Sequence, residues 1–293
     1  MLDKIYEFLT KGLYYVCGGF MVEENSLGLS IVDGVKISTS GSWGTIWSAM
    51  TNIADNVFVP IASTIVCIMF FAAIIEKSST EKITGEQLIR EIIKLVMGLW
   101  LVKNCTFIMT QCINLGNGFI TRVSNRIGGI ASESTIEAFA QKMSGSDLIT
   151  NLLKAFNPLT GMLFSCVILI SVLILAIIIV CLLVICQVRK AEIMLKTAVA
   201  PLAMFDTFSG SFLNSHAVNF IRSFLATCLQ GVFITIAVNI IPLFGMSVVT
   251  SLITATDLWA VTKDVLMLLV VYISVLVLTF KSGSFAKEIM GAR

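Results

Sequence analysis

The sequence has 293 residues, of which 57% are hydrophobic and 13% are charged, and its formal net charge is +2. Typical soluble domains carry about 25% charged residues, so this composition excludes an ordinary soluble domain and is typical of a polytopic membrane protein. The small net charge also excludes the broad basic field with which a soluble nucleic-acid-binding domain attracts its ligand.

The first 54 residues are predicted to form an extracytoplasmic N-terminal region. Residues 2–16 place their apolar side chains on one helical stripe, which predicts an amphipathic helix. Such a helix either lies along a membrane surface or packs on its own chain. Trp43 and Trp47 follow, and aromatic rings of this kind prefer the membrane interface. They indicate where the chain enters its first span.

Residues 55–293 are predicted to form an all-α transmembrane domain with about five spans. We place the spans at about 55–75, 92–121, 159–188, 217–244 and 265–280. The third span is the longest, because 34 uncharged residues run from Ala155 to Val188. At roughly 1.5 Å of rise per residue, this run is longer than a hydrocarbon core of roughly 30 Å.

The third span is followed by a basic corner, Arg189-Lys190-Ala191-Glu192, and then by a second apolar stretch. This stretch, 191–205, is too short to cross a membrane. We predict a half-inserted or interfacial helix over about 191–205, kinked or ended near Pro201 because proline interrupts a helix.

The second span is the least apolar of the five. On a helical wheel seven residues in and just after this span fall within about 100°, although Lys94 lies roughly opposite Lys103. They are Lys103, Asn104, Gln111, Asn114, Gly118, Arg122 and Asn125. Polar groups inside a membrane face protein or water rather than lipid. Two interpretations stay open: a seam that lines a conduit, with Lys103, Asn104, Gln111 and Asn114 facing it, or amides that bond to neighbouring helices.

The fourth span carries small and polar residues on one face, which permits close helix packing. The polar members of this face that we expect to pack against another helix are Asn219, Ser223 and Gln230.

The distribution of Lys and Arg favours an extracytoplasmic N-terminus and a cytoplasmic C-terminus. The segments 76–91, 188–222 and 281–293 hold ten of these residues, whereas 1–54, 122–158 and 245–264 hold eight over a longer stretch. Positive residues concentrate on the cytoplasmic side. This orientation assigns Arg189 and Lys190 to the cytoplasm.

Motifs for common chemistry are missing from the sequence. It has no Walker A loop, HExxH, GxSxG or GxGxxG motif, no CxxC pair and a single histidine, His216. We therefore expect no enzymatic activity, no catalytic residue, no metal site and no cofactor. If the protein moves a substrate across the membrane, the energy comes from a partner or an ion gradient.

The five-span layout and the stretch from Arg189 to Ala203 resemble a known family. The stretch reads Arg-Lys-Ala-Glu-Ile-Met-Leu and continues to Ala-Val-Ala-Pro-Leu-Ala. It is similar to the TrbL/VirB-type polytopic inner-membrane subunit of type IV secretion and conjugation systems, with Arg189, Glu192 and Pro201 at the motif positions. The architectural resemblance extends over most of residues 55–280.

The resemblance implies a channel or scaffold subunit in the bacterial cytoplasmic membrane. Its expected partners are further copies of itself in a ring, the other membrane, stalk and ATPase subunits of the apparatus, and the lipid bilayer. The implied cargo is single-stranded DNA with an attached relaxase, or protein effectors. A secondary transporter for small solutes and a holin-like structural membrane protein are the alternatives.

Overall fold

A computed structural model describes residues 34–37, 41–80, 84–128, 158–205, 216–254 and 258–292. Within these ranges the chain is almost entirely helical and no strand is present, so the predicted all-α fold is confirmed. The amphipathic helix expected at residues 2–16 lies outside the described residues.

Seven α-helices and one π-helical turn make up the described part of the chain. In order they are α1 (Gly41–Ile53), the π-helical turn (Ala54–Phe58), α2 (Val59–Thr80), α3 (Gly85–Lys103), α4 (Cys105–Gly128), α5 (Pro158–Met204), α6 (His216–Thr254) and α7 (Leu258–Met290).

Several helices are long and apolar enough to cross a membrane. Four segments meet this condition: Trp43–Ser79, Cys166–Met204, His216–Ile241 and Thr262–Met290. A fifth span is present if α3 and α4, which meet at an angle of 61°, are counted together. The chain is therefore a multi-pass membrane protein. Its helices also extend beyond the spans expected from sequence, since α6 continues to Thr254 and α7 already begins at Leu258.

The basic corner expected after the third span is not a break in the helix. Helix α5 is continuous for 47 residues and contains Arg189, Lys190 and the whole stretch 191–204. Charged residues do not interrupt a helix, and the Glu192 carboxylate and Lys196 ammonium, 2.8 Å apart, form an i,i+4 pair that supports it. Pro201 lies inside α5, and the helix ends at Met204. The separate helix predicted at 191–205 is thus the C-terminal part of α5.

The second span expected from sequence is interrupted at Asn104. The backbone of this residue leaves the helical region, with φ −98° and ψ 13°. Its side-chain amide donates to the carbonyl of Trp100 at 2.9 Å, and the same carbonyl accepts from the Asn104 backbone N–H at 3.0 Å. A helical wheel drawn through residues 92–121 is therefore valid only on either side of Asn104.

The chain divides into two compact units, each assembled from several segments. The first unit comprises Met1–Lys36, Ile120–Gln187 and Val232–Ser282. Its core consists mainly of apolar residues from α5, α6 and α7 that recur every three or four positions, as in Leu175, Ile178 and Leu182. Many side chains on the other faces of these helices are exposed and equally apolar, including Leu173 and Val180. Such surfaces are suited to lipid.

The second unit comprises Ile37–Phe119, Val188–Gly231 and Gly283–Arg293. Its core is formed by residues of α1, α2, α3 and α4. The parts of α5 and α6 that belong to this unit also contribute to it. Central members with almost no exposed surface are Val102, Met109, Ile193, Met204 and Phe224. This unit contains the three motif residues and most of the other residues singled out from the sequence.

Candidate functional site

Arg189 is the largest fully buried side chain among the described residues, with 2% of its surface exposed. Helix α5 directs it against α6, where its Nε donates to the carbonyl oxygen of Thr227 and its Nη2 to that of Cys228, both at 2.9 Å. A backbone carbonyl has two lone pairs, so both oxygens accept from the guanidinium in addition to any bond within the helix. A buried charge costs several kcal/mol unless it is well bonded.

Gly231 leaves the space that this contact needs. A Cβ added at Gly231 would lie 2.5 Å from the guanidinium carbon and from both terminal nitrogens of Arg189. Because the carbonyls of Thr227 and Cys228 lie within one turn of Gly231, the guanidinium covers the bare backbone of α6. Arginine and glycine therefore form one packing unit.

About two turns beyond Arg189 on α5, Lys196 extends the same polar contact between α5 and α6. Its Nζ forms an ion pair with Oε1 of Glu192 at 2.8 Å, donates to Oγ1 of Thr227 at 2.7 Å and makes a longer contact of 3.4 Å with Oγ of Ser223. Thr227 thus accepts hydrogen bonds from both cations: its carbonyl oxygen accepts from Arg189, and its hydroxyl oxygen accepts from Lys196. Two motif residues and one packing candidate, Ser223, meet in this network.

Lys190, next to Arg189, is also buried and lies 5.6 Å from the centre of the Trp43 ring, a cation–π arrangement. This contact joins α5 to α1. The sequence assigned Trp43 to the extracytoplasmic region and Lys190 to the cytoplasm, whereas the contact requires both residues to lie at the same level of the second unit.

The remaining packing candidates lie on α6 in the same unit. Gln230 is half-buried beside α7, and a Cβ at Gly283 would lie 3.4 Å from its Nε2. Asn219 is half-buried near the start of α6. On the side of α4, Gly116 packs closely on Cys228, since an added Cβ would lie 3.1 Å from the Cys228 Cβ. Close approach at Gly116 and Gly231 brings α4, α5 and α6 together.

The four conduit candidates do not share one helical face, because the break at Asn104 separates them. Lys103 is the last residue of α3, and the Asn104 amide is used to cap that helix. Gln111 and Asn114 lie on the exposed face of α4, and their side-chain amides form no hydrogen bond with another described residue. A different amide, Asn117, joins α4 to the rest of the unit, because it accepts from the Ile37 N–H at 3.0 Å and donates to its carbonyl at 2.9 Å.

A further polar contact links the break to the π-helical turn. Thr106, two residues after Asn104, donates from Oγ1 to Oδ1 of Asp55 at 2.6 Å. Asp55 lies in the π-helical turn between α1 and α2, and such turns occur frequently at functional sites. Two irregular points in neighbouring helices are therefore in direct contact.

Glu91 forms a separate charged cluster between α2 and α3. The residue is only 3% exposed and accepts from Lys77 and, at 3.2 Å, from Lys94. One carboxylate is thus buried between two partly exposed lysines, and this links α2 to α3.

The arrangement is suited to holding helices together. Arg189, Lys190 and Lys196 are occupied by carbonyls, an aromatic ring, hydroxyls and a carboxylate. Across the described residues no group of three or more His, Cys, Asp or Glu side chains is placed to hold a metal ion.

Sequence reasoning singled out Arg189 and Glu192 but not Gly231 and Thr227, which the structure places against Arg189. Both lie in an apolar helix, where small residues such as glycine and threonine are common at helix contacts. A weak signal was present, since a glycine inside a helix costs about 1 kcal/mol relative to alanine and often has a packing reason.

A family model described as TrbL/VirB6 plasmid conjugal transfer like protein matches residues 30–201 of this chain. The match takes in α1 to α4 and most of α5, including Arg189, Glu192 and Pro201, and it ends before α6. No curated protein and no solved structure matches the chain.

Proposed function

The chain belongs to the TrbL/VirB6 plasmid conjugal transfer like family, and on this basis we propose that it is a channel or scaffold subunit of a type IV secretion or conjugation apparatus. Membership makes it a component of a multi-subunit conjugal transfer system. The family is a structural part of that system, so ATP hydrolysis is assigned to other subunits. The cargo under this proposal is single-stranded DNA with its relaxase, or a protein effector.

One observation supports a conduit role for α4. Gln111 and Asn114 are exposed amides within a helix whose other surface packs in the core of the second unit. An amide that faces lipid loses its hydrogen bonds with water, which costs free energy. Since no described residue of the same chain satisfies these two amides, water or cargo is the natural partner.

The experiment that tests the conduit is cysteine accessibility during transfer. Single cysteines replace Gln111 and Asn114 in a background without the eight native cysteines. A membrane-impermeant thiol reagent is expected to label both positions, and active transfer is expected to slow the labelling because cargo covers them. Val96→Cys, on exposed α3 surface, and Ile113→Cys, in the core, are the matched controls and should not respond to transfer.

Labelling at Gln111 and Asn114 that is no faster than at Val96 would refute the conduit role of α4. Deletion of the gene separately tests the wider proposal. Loss of transfer with normal amounts of the ATPase subunits is expected, and unchanged transfer would contradict membership in the machinery. Uptake of a small solute by the purified chain in liposomes would instead favour a secondary transporter.

We further propose that the apparatus places this chain in the bacterial inner membrane with an extracytoplasmic N-terminus and a cytoplasmic C-terminus. The count of basic residues supports this orientation. The contact between Lys190 and Trp43 counts against one part of this orientation, the assignment of Trp43 to the outside and of Lys190 to the cytoplasm, because it places the two residues at the same level.

A further inference from the structure

Two opposite charges, Asp55 and Lys103, lie on the surface of the second unit without an ionic partner among the described residues. Both side chains are exposed. Asp55 accepts one hydrogen bond, from Thr106, and this leaves most of its carboxylate open. Each charge belongs to a segment that is apolar enough to cross a membrane.

The hydrogen bond between Asp55 and Thr106 also brings the two charges near each other in the fold. Thr106 follows Lys103 by three residues across the break at Asn104, and three Cα–Cα steps of about 3.8 Å keep the two residues within about 11 Å of each other. Copies of a membrane protein that share one orientation are related by a rotation about the membrane normal, which keeps every residue at its own depth. Pairing between such copies requires two charges at similar depth, and the closeness of Asp55 and Lys103 favours this condition.

The surroundings of Lys103 favour a protein neighbour. Trp100 and Phe107, which flank it in sequence, are 60% and 63% exposed. Aromatic side chains such as these are enriched in protein interfaces. A lone charge that faces lipid within a span is costly in free energy, and a partner of opposite charge removes much of this cost.

We propose that Asp55 of one copy of this chain forms an ion pair with Lys103 of a second copy, and that this pair sets the contact between adjacent subunits in the membrane. The proposal rests on the assembly part of the proposed function and is independent of the conduit role of α4.

Charge exchange tests whether the pair joins two copies. Asp55→Lys alone and Lys103→Asp alone each place like charges at the contact, so each variant is expected to lose the oligomer of the unmodified chain on native gels of solubilised membranes. Two differently tagged copies, one carrying each substitution, are expected to copurify and to recover the oligomer when they are expressed together.

The chain that carries both substitutions is the control for folding, because it restores a pair of either kind. Assembly of this double variant without association of the two co-expressed single variants would show that the pair forms inside one chain, and the proposal would be wrong. An unchanged oligomer in either single variant would also overturn it.

Crosslinking provides a second measurement that does not depend on charge reversal. One tagged copy carries Asp55→Cys and the other Lys103→Cys, both without the native cysteines, and a short bifunctional thiol reagent is expected to join them in membranes. Val96→Cys is the matched control, since it lies on the same face of α3 two turns away, about 10 Å along the axis. It should not be joined to Asp55→Cys.

Equal crosslinking at Val96 and Lys103, or none at either, would refute the interface even if the charge variants do not accumulate. These outcomes differ from a failure of the proposed function. A protein that is dispensable for transfer fails the function, whereas a protein that is required for transfer but does not crosslink fails only the interface.

Discussion

Arg189 and Gly231 occupy one shared space, in which the guanidinium of the arginine lies where a side chain on residue 231 would have to be. The distance from a Cβ at Gly231 to the guanidinium carbon would be 2.5 Å, and no rotation of a methyl group relieves such a contact. Because the same guanidinium bonds to two carbonyls of α6, the glycine is a condition for satisfying a buried charge.

Gly231→Ala is expected to destabilise the protein by about 1–3 kcal/mol, as overpacking in a core usually does. The sign of the change in stability is informative, because a glycine-to-alanine change elsewhere in a helix stabilises the protein by about 0.5–1 kcal/mol. Gly118→Ala is the control, since a Cβ at Gly118 meets nothing within 4 Å. Thermal unfolding of the purified chain in detergent measures both. A Gly231→Ala variant as stable as the Gly118→Ala variant would rule out the packing unit.

Thr227→Val is expected to destabilise the second unit more than Ser223→Ala does. Valine keeps the shape of threonine but removes the hydroxyl that accepts from Lys196 at 2.7 Å, whereas the contact with Ser223 is 3.4 Å. A hydrogen bond to a charged group contributes about 1.5–3 kcal/mol, and a long one contributes little. The same unfolding assay ranks the two variants, and equal losses would show that Lys196 does not depend on Thr227.

Glu91→Gln is expected to lower the melting temperature, and Glu86→Gln is expected to leave it nearly unchanged. Glu91 is buried and accepts from the partly exposed Lys77 and Lys94, and a hydrogen bond between a charged pair of groups contributes about 1.5–3 kcal/mol, which the neutral amide weakens. Glu86 instead pairs with Arg90 on the surface, at 3.6 Å, where solvent screens the interaction. Similar shifts for the two variants would mean that Glu91 is solvated in the membrane.

Cysteines placed beside Trp43 and Lys190 are expected to react from the same side of the membrane. Thr45 and Ala191 are exposed neighbours of these two residues, and each is replaced singly in a chain without native cysteines. An impermeant thiol reagent added from one side should label both positions or neither. Labelling of the two from opposite sides would show that the contact between Lys190 and Trp43 does not exist in the membrane.

The sequence alone determined the class of the protein. A 34-residue uncharged run and a charged fraction of 13% leave few alternatives to membrane helices, because apolar length is a property that the local sequence carries. The motif from Arg189 to Pro201 also indicated the family that the family model then matched. These conclusions depend on residues close together in the chain, which is why they needed no knowledge of the fold.

Local sequence patterns predicted the positions of helix breaks less reliably than they predicted the class of the protein. A basic corner was expected at Arg189, but helix formers and an i,i+4 pair carry α5 through it. One continuous span was expected around Asn104, but the helix breaks there. Both outcomes depend on free-energy differences of about 1 kcal/mol in local propensity, which tertiary packing readily overrides.

Only the tertiary structure showed which partner each polar residue has. Arg189 and Gly231 are 42 residues apart in the sequence, Asp55 and Thr106 are 51 apart, and no periodicity relates them. A buried charge must be satisfied by whatever group the fold places beside it, and that group was a pair of backbone carbonyls, which every residue possesses. The sequence determined that these charges would need partners in an apolar protein, and the packing of α4, α5 and α6 decided what those partners are.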